Sequence, residues 1–176
     1  MKANMTKKVA FGGVIAALYV VLTMLSAAMG LASGAIQVRL SEMLTILPVF
    51  TASAVPGLTV GCLLANLVTG CAAWDVVFGS LATLLGAIGT RLLRKKPLLA
   101  WIPPVVSNMV IVPIVLMKVY GVTDVTVFGT TFAADSLWIM LMVTVGIGEI
   151  IACGVLGLAL WKAFSAQPRL AKIMGE

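Results

Sequence analysis

Long apolar runs broken by short polar or proline-bearing stretches set the pattern of this chain. The first run covers residues 9–31 and predicts a helix. It follows Lys7 and Lys8, as a secretory leader would. At this length it exceeds the roughly 7–15 apolar residues of a leader, so it reads as a retained span. A polar stretch from Gln37 to Glu42 leads into a short apolar run ending near Phe50. Pro48 and Pro56 punctuate that region, which predicts a short or broken second span. A third span is expected over 56–69, with a turn at Gly70-Cys71-Ala72. A fourth starts near Asp75 and stops at Arg91, Arg94, Lys95 and Lys96. The fifth covers 98–118 and carries Pro103, Pro104 and Pro113. The Thr-, Val- and Gly-rich stretch 119–134 is loop with room for a short hairpin, and the sixth span covers 136–164.

Composition removes the soluble alternatives. The residues AVILMFWYC make up 61% of the 176 positions and charged residues 10%. Soluble domains hold about 25% charged residues, and a fold this small has too little interior to hide so much apolar surface. A spanning helix takes about 20 residues, so six use roughly 120–150 and seven leave almost no loop. The expected fold is a single all-α integral membrane domain over 1–176 with six transmembrane helices. The net charge of +6 is spent on orientation in the membrane, not on nucleic acid. With the N-terminus cytoplasmic, Lys2, Lys7, Lys8, Arg91, Arg94, Lys95, Lys96, Lys162, Arg169 and Lys172 fall inside and only Arg39 and Lys118 outside. That asymmetry obeys the positive-inside rule and puts both termini in the cytoplasm of a multi-pass cell-membrane protein.

Polar groups inside spans are costly and mark sites by default. On this topology Arg39 and Glu42 enter the second span from outside, and Asn66 lies near the outer end of the third. Trp74 and Asp75 open the fourth, Asn108 sits at mid-depth in the fifth, and Glu149 lies halfway down the sixth. Together they describe a pocket open to the outside. Trp138, Met142, Val145 and Glu149 follow 4-3-4 spacing, which puts an aromatic ring and an acid on one helix face, a fit for a flat ligand with N–H donors. Each residue also has a structural explanation. Glu149 can pair with Arg39 or stay protonated, the asparagines can tie helices together, Asp75 can be an N-cap, and Arg39 and Glu42 can form an i,i+3 ion pair. Trp101 and Trp161 fit interfacial belts.

Three cysteines without a CxxC, and no histidine at all, leave no basis for a zinc site, a disulfide framework or histidine catalysis, so no cofactor and no enzymatic activity are expected. There is no GxxxxGK[ST] phosphate loop and no inverted repeat, so a transport function would need energy from partners. On the first helix Gly12 and Ala16, and Gly13 and Ala17, form a small-residue strip that lets another helix approach; packing within the same bundle is the alternative.

The stretch Gln37-Val38-Arg39-Leu40-Ser41-Glu42-Met43-Leu44-Thr45, followed by Ala54-Val55-Pro56-Gly57-Leu58, Gly61-Cys62 and Ala65-Asn66-Leu67, resembles the QueT family. So does Asp75 with Phe78-Gly79-Ser80-Leu81-Ala82-Thr83-Leu84 after it. The resemblance runs from about residue 10 to 160, with its specificity in 37–84; Met43 stands where the family leads one to expect Ala. These proteins are substrate-binding (S) components of energy-coupling factor (ECF) transporters proposed to import queuosine precursors. The resemblance implies a six-helix S-component bundle, a transmembrane T component and two cytoplasmic ATPases as partners, and docking of the T component on Gly12, Gly13, Ala16 and Ala17. It implies a 7-deazaguanine ligand, 7-aminomethyl-7-deazaguanine or queuine. A carboxylate from Glu149 or Glu42 would accept from its guanine edge, with the other acid or Asp75 meeting the amine. The alternatives are an S component for another vitamin-like molecule, an integral membrane enzyme, for which Asp75, Asp124 and Asp135 are too scattered to form a metal cluster, and a purely structural membrane subunit.

Overall fold

A computed structural model describes residues 2–31 and 36–167. Helix α1 (Lys2–Ala28) is followed by a 3-10 helix (Leu40–Val49), α2 (Ala54–Val68) and α3 (Ala73–Leu92). A short 3-10 turn (Pro97–Leu99) leads into α4 (Ile102–Lys118). Strands β1 (Asp124–Val127) and β2 (Thr130–Ala133) pair antiparallel. The last rod is α5 (Asp135–Glu149), a π-helical segment (Ile150–Leu156) and α6 (Gly157–Ser165), without a break. Arg169 and Lys172, counted above among the cytoplasmic charges, lie outside the described residues.

Among the described residues, four stretches are long and apolar enough to cross a membrane: Met5–Ala28, Ala73–Leu92, Pro97–Lys118 and Asp135–Ser165. Leu40–Val49 and Ala54–Val68 are shorter apolar helices. The short second element is a tight helix rather than a broken α-helix. At about 2.0 Å of rise per residue, ten residues in 3-10 geometry reach roughly 20 Å, a third farther than in an α-helix. Three residues per turn line up Ser41, Leu44 and Leu47 on one row and Glu42, Thr45 and Pro48 on the next, and both rows are buried. This helix is the central strut, packed against α1, α2, α3, the π segment and α6.

The other helices wrap it with faces set by the α-helical period. In α2, Ala54, Gly57, Leu58, Gly61, Cys62, Ala65 and Asn66 are buried, a stripe spaced 3-1-3-1-3-1. The opposite face, including Val60, Leu63, Leu64 and Leu67, is apolar and exposed. Val14, Leu18, Val21 and Leu25 do the same on α1. A water-soluble surface does not carry apolar belts of this extent; a lipid-facing one does. The protein is a multi-pass membrane protein.

The two ends of the bundle differ. At one, Arg91 Nη1 donates to the Pro48 carbonyl at 3.0 Å and the rings of Phe50 and Phe164 sit 6.0 Å apart, beside the Arg94–Lys96 turn. At the other lie the hairpin and the α2–α3 turn, with Tyr120 tying the segment after α4 to that turn. Helices α1 and α2 approach closely through small residues. A Cβ on Gly57 would lie 2.7 Å from the Gly12 carbonyl oxygen, and one on Gly61 2.7 Å from Tyr19 Cβ and 3.0 Å from Ala16 Cα. Gly12 and Ala16 are therefore taken up inside the chain by α2, and only the other half of the strip, Gly13 and Ala17, is exposed.

Overfilling that seam should be costly. Gly61→Val is expected to destabilise the bundle by about 1–3 kcal/mol, read as a lower thermal unfolding midpoint in detergent. Gly13→Ala, whose new Cβ meets nothing within 4 Å, should hold or raise the midpoint.

Candidate functional site

The site starts on α1. Ser26, Thr23 and Tyr19 descend one face of that helix in steps of three and four. Each takes one successive residue at the start of the 3-10 helix, which runs the other way. Ser26 Oγ accepts the Leu40 N–H at 2.8 Å. Thr23 Oγ1 donates to Ser41 Oγ at 2.8 Å, and Tyr19 Oη donates to Glu42 Oε1. The ladder presents Glu42, 2% exposed, to the interior. Its other oxygen, Oε2, is buried with no hydrogen-bond partner among the described residues.

Glu149 approaches from the last turn of α5. Close packing there depends on Gly148, where a Cβ would sit 2.0 Å from the Gln37 carbonyl oxygen. The π segment that follows turns Cys153 back beneath the acids. Its thiol donates toward Glu149 Oε2 at 3.3 Å, and the Thr45 hydroxyl donates to its sulfur at 3.3 Å. One oxygen from each of Glu42 and Glu149 and the Cys153 sulfur lie within 4.8 Å of one another. Two hard carboxylates with one thiol and no histidine are a poor match for zinc, which takes four N or S donors in structural sites, or for magnesium, which takes oxygen. Asn108 faces Glu149 from α4. Arg39 Nη2 donates to Asn66 Oδ1 at 2.6 Å, and Asn66 is wholly buried.

These groups surround a cavity of about 520 Å³ toward the hairpin end of the bundle. Arg39, Glu42, Asp75, Asn108 and Glu149 line it, together with Thr83 and Thr144. Volume and mixed lining are those of a small-molecule site.

A family model described as QueT transporter matches residues 9–166. The chain belongs to the QueT transporter family. It is also 36% identical over 86 residues to the Queuosine precursor transporter QueT of Lactococcus lactis subsp. cremoris (strain MG1363). That alignment covers 48% of this chain and 50% of the relative, so the match spans about half of each. No solved structure matches.

In this QueT-family chain the cavity gathers five of the eight residues singled out from the sequence. Asn66 stands just behind it, holding Arg39. Trp74 does not line it: the ring is 62% exposed and stacks on Phe78 at 5.9 Å, on the lipid side of α3. Trp138 does not line it either, although Val145 and Glu149 from the same helix face do. A face more than two turns long need not meet the same neighbour throughout. Asp75 is not an N-cap, since Ala72 precedes the helix; it accepts a hydrogen bond from Tyr120 Oη at 2.8 Å. Tyr19, Thr23, Thr83, Thr144 and Tyr120 carried no separate signal. A hydroxyl in an apolar helix usually bonds its own backbone, as Thr83 does to Gly79 O at 3.1 Å.

Tyr120 lines the cavity at its hairpin end. Its oxygen also accepts the Ala72 N–H at 3.1 Å, tying the segment after α4 to the α2–α3 turn. Partial burial pushes its phenol up, the Ala72 N–H draws it down, and the bond to and charge of Asp75 push it up again, to about 12. Because this lies above the ordinary value near 10, the stabilisation is complete below about pH 10 and lost as pH rises through the folded-state value. Asp75→Asn removes the charge, so Tyr120 should ionise at a lower pH. Phenolate absorbance, taken as the difference from Tyr120→Phe, checks this.

Proposed function

We propose that this protein is the substrate-binding S component of an ECF-type, ATP-driven importer for a 7-deazaguanine queuosine precursor, 7-aminomethyl-7-deazaguanine or queuine. The observation that carries this is the cavity itself: charged groups from three separate segments, with Asn108 from a fourth, converge inside an apolar bundle whose family is that of a queuosine precursor transporter. Holding ionised groups in a membrane interior is expensive, and a polar ligand offsets that cost. A 7-deazaguanine ring offers N1–H and an exocyclic amine to a carboxylate, and its O6 acceptor to Arg39 or Asn108. A cavity of about 520 Å³ has room for such a base and a 7-substituent.

In this proposal the polypeptide crosses the membrane six times with both termini cytoplasmic. The 3-10 helix and α2 serve as short second and third spans, and the hairpin end faces outward. Ligand enters past Asp75 and Tyr120 and binds at Arg39, Glu42, Asn108 and Glu149, with Asn66 positioning Arg39. The chain carries no phosphate loop, so the work of import falls to a T component and two ATPases. The exposed pair Gly13 and Ala17 is the docking strip, a small-residue pair four apart that admits a second helix closely. Gly12 and Ala16 instead support it from within, against α2. An S component for another vitamin-like molecule shares this architecture, and only the ligand separates the two.

Glu149→Gln is expected to lower the affinity for 7-aminomethyl-7-deazaguanine by more than about tenfold, the loss of a charge-assisted hydrogen bond. Titration calorimetry on purified protein measures it, and unchanged affinity removes Glu149 from the site. Gly13→Leu and Ala17→Leu should abolish co-purification of the ATPase subunits while ligand binding persists; retained co-purification moves the docking surface elsewhere.

A further inference from the structure

The charges lining the cavity do not balance. Glu42, Asp75 and Glu149 face it against one cation, Arg39. Asp75 lies at the mouth and is answered by Tyr120. On the floor, Glu42 and Glu149 approach within 4.8 Å, and Arg39 can offset only one of them. The neutral donors there, Tyr19 Oη on Glu42 Oε1 and Cys153 Sγ on Glu149 Oε2, orient the carboxylates but cancel no charge. Each also occupies one oxygen of its acid, and Glu42 Oε2 is left buried and unpartnered among the described residues. A neutral guanine edge placed here would supply hydrogen bonds and leave two like charges side by side in a low-dielectric interior, the arrangement that costs most. A single positive charge between them would offset the remainder.

We infer that the Glu42–Glu149 pair is an ammonium subsite: it receives a protonated amino group on the ligand, with Glu42 Oε2 as its principal acceptor. The ring then lies toward the mouth, its lactam edge against Arg39 and Asn108 and its donors toward Asp75. This rests on the 7-deazaguanine proposal above and decides what that proposal left open, namely which acids meet the amine. It makes the positive charge of the 7-substituent the property the site selects for.

The test compares 7-aminomethyl-7-deazaguanine with its neutral 7-cyano counterpart by calorimetry on the full chain in nanodiscs. The expected result is a preference for the amine of at least about tenfold, the strength of one hydrogen bond to a charged group. Glu42→Gln should shrink that preference by lowering affinity for the amine more than for the nitrile. The wild-type comparison stands even if this variant does not fold. Equal affinity for the two ligands, as when the acids share a proton, overturns the subsite while leaving the deazaguanine proposal in place. A preference that survives Glu42→Gln in folded protein also overturns it. Failure of both ligands to bind wild-type protein overturns the deazaguanine proposal, and the subsite with it.

Discussion

Three hydroxyls on α1 hold the rest of this structure in register. Ser26, Thr23 and Tyr19 each take one residue of the segment 40–42, matching the 3.6-residue period of an α-helix to the tighter winding of a 3-10 helix running the other way. Because no water competes in a membrane interior, the alternative to these bonds is unsatisfied polar groups, each costly. The ladder fixes where Glu42 points, and the 3-10 helix it anchors is the strut against which α1, α2, α3, the π segment and α6 pack. Shifted by one residue, the strut would turn Glu42 from the cavity toward a helix surface.

From that constraint the electrostatics follow. Glu42, held on one side by Tyr19, lines the cavity and keeps its other oxygen buried and unpartnered among the described residues, and the glycine seam at Gly148 lets Glu149 approach the same place. Arg39, fixed by a wholly buried Asn66, brings one counter-charge. The floor of the site is thus acidic, while Asp75 and the half-exposed Tyr120 line its hairpin end. In the proposed importer, selectivity lies at this acidic floor and access lies at the mouth. The π-helical turn after Glu149 fits the same division, since such turns recur at functional positions in helices, and here it places Cys153 under both acids.

Charge was legible in the sequence; geometry was not. Arg39, Glu42, Asp75, Asn108 and Glu149 stand out because polar groups in apolar runs have few places to go, and all five line one cavity. The membrane class and the positions of the long spans could be read for the same reason. The tryptophans misled, because spacing says which residues share a face and not what that face meets: Trp74 points toward lipid and Trp138 stands outside the cavity. Half of the small-residue strip on α1 was already committed to α2, and a local pattern cannot reveal a partner 45 residues away. Nor could the hydroxyl ladder be foreseen, since threonine and serine in an apolar helix normally bond their own backbone, as Thr23 and Ser26 also do at 2.9 and 2.8 Å. The second helix was legible as short or broken from Pro48 and Pro56, but its 3-10 winding, which stretches ten residues to about 20 Å, was not.

The most direct test is an experimental structure with 7-aminomethyl-7-deazaguanine bound. The account predicts the base in this cavity, with its amine in hydrogen-bonding contact with both Glu42 and Glu149 and Tyr19 still bonded to Glu42. A ligand bound elsewhere, or one in this cavity with Glu42 turned away from it, would contradict the account.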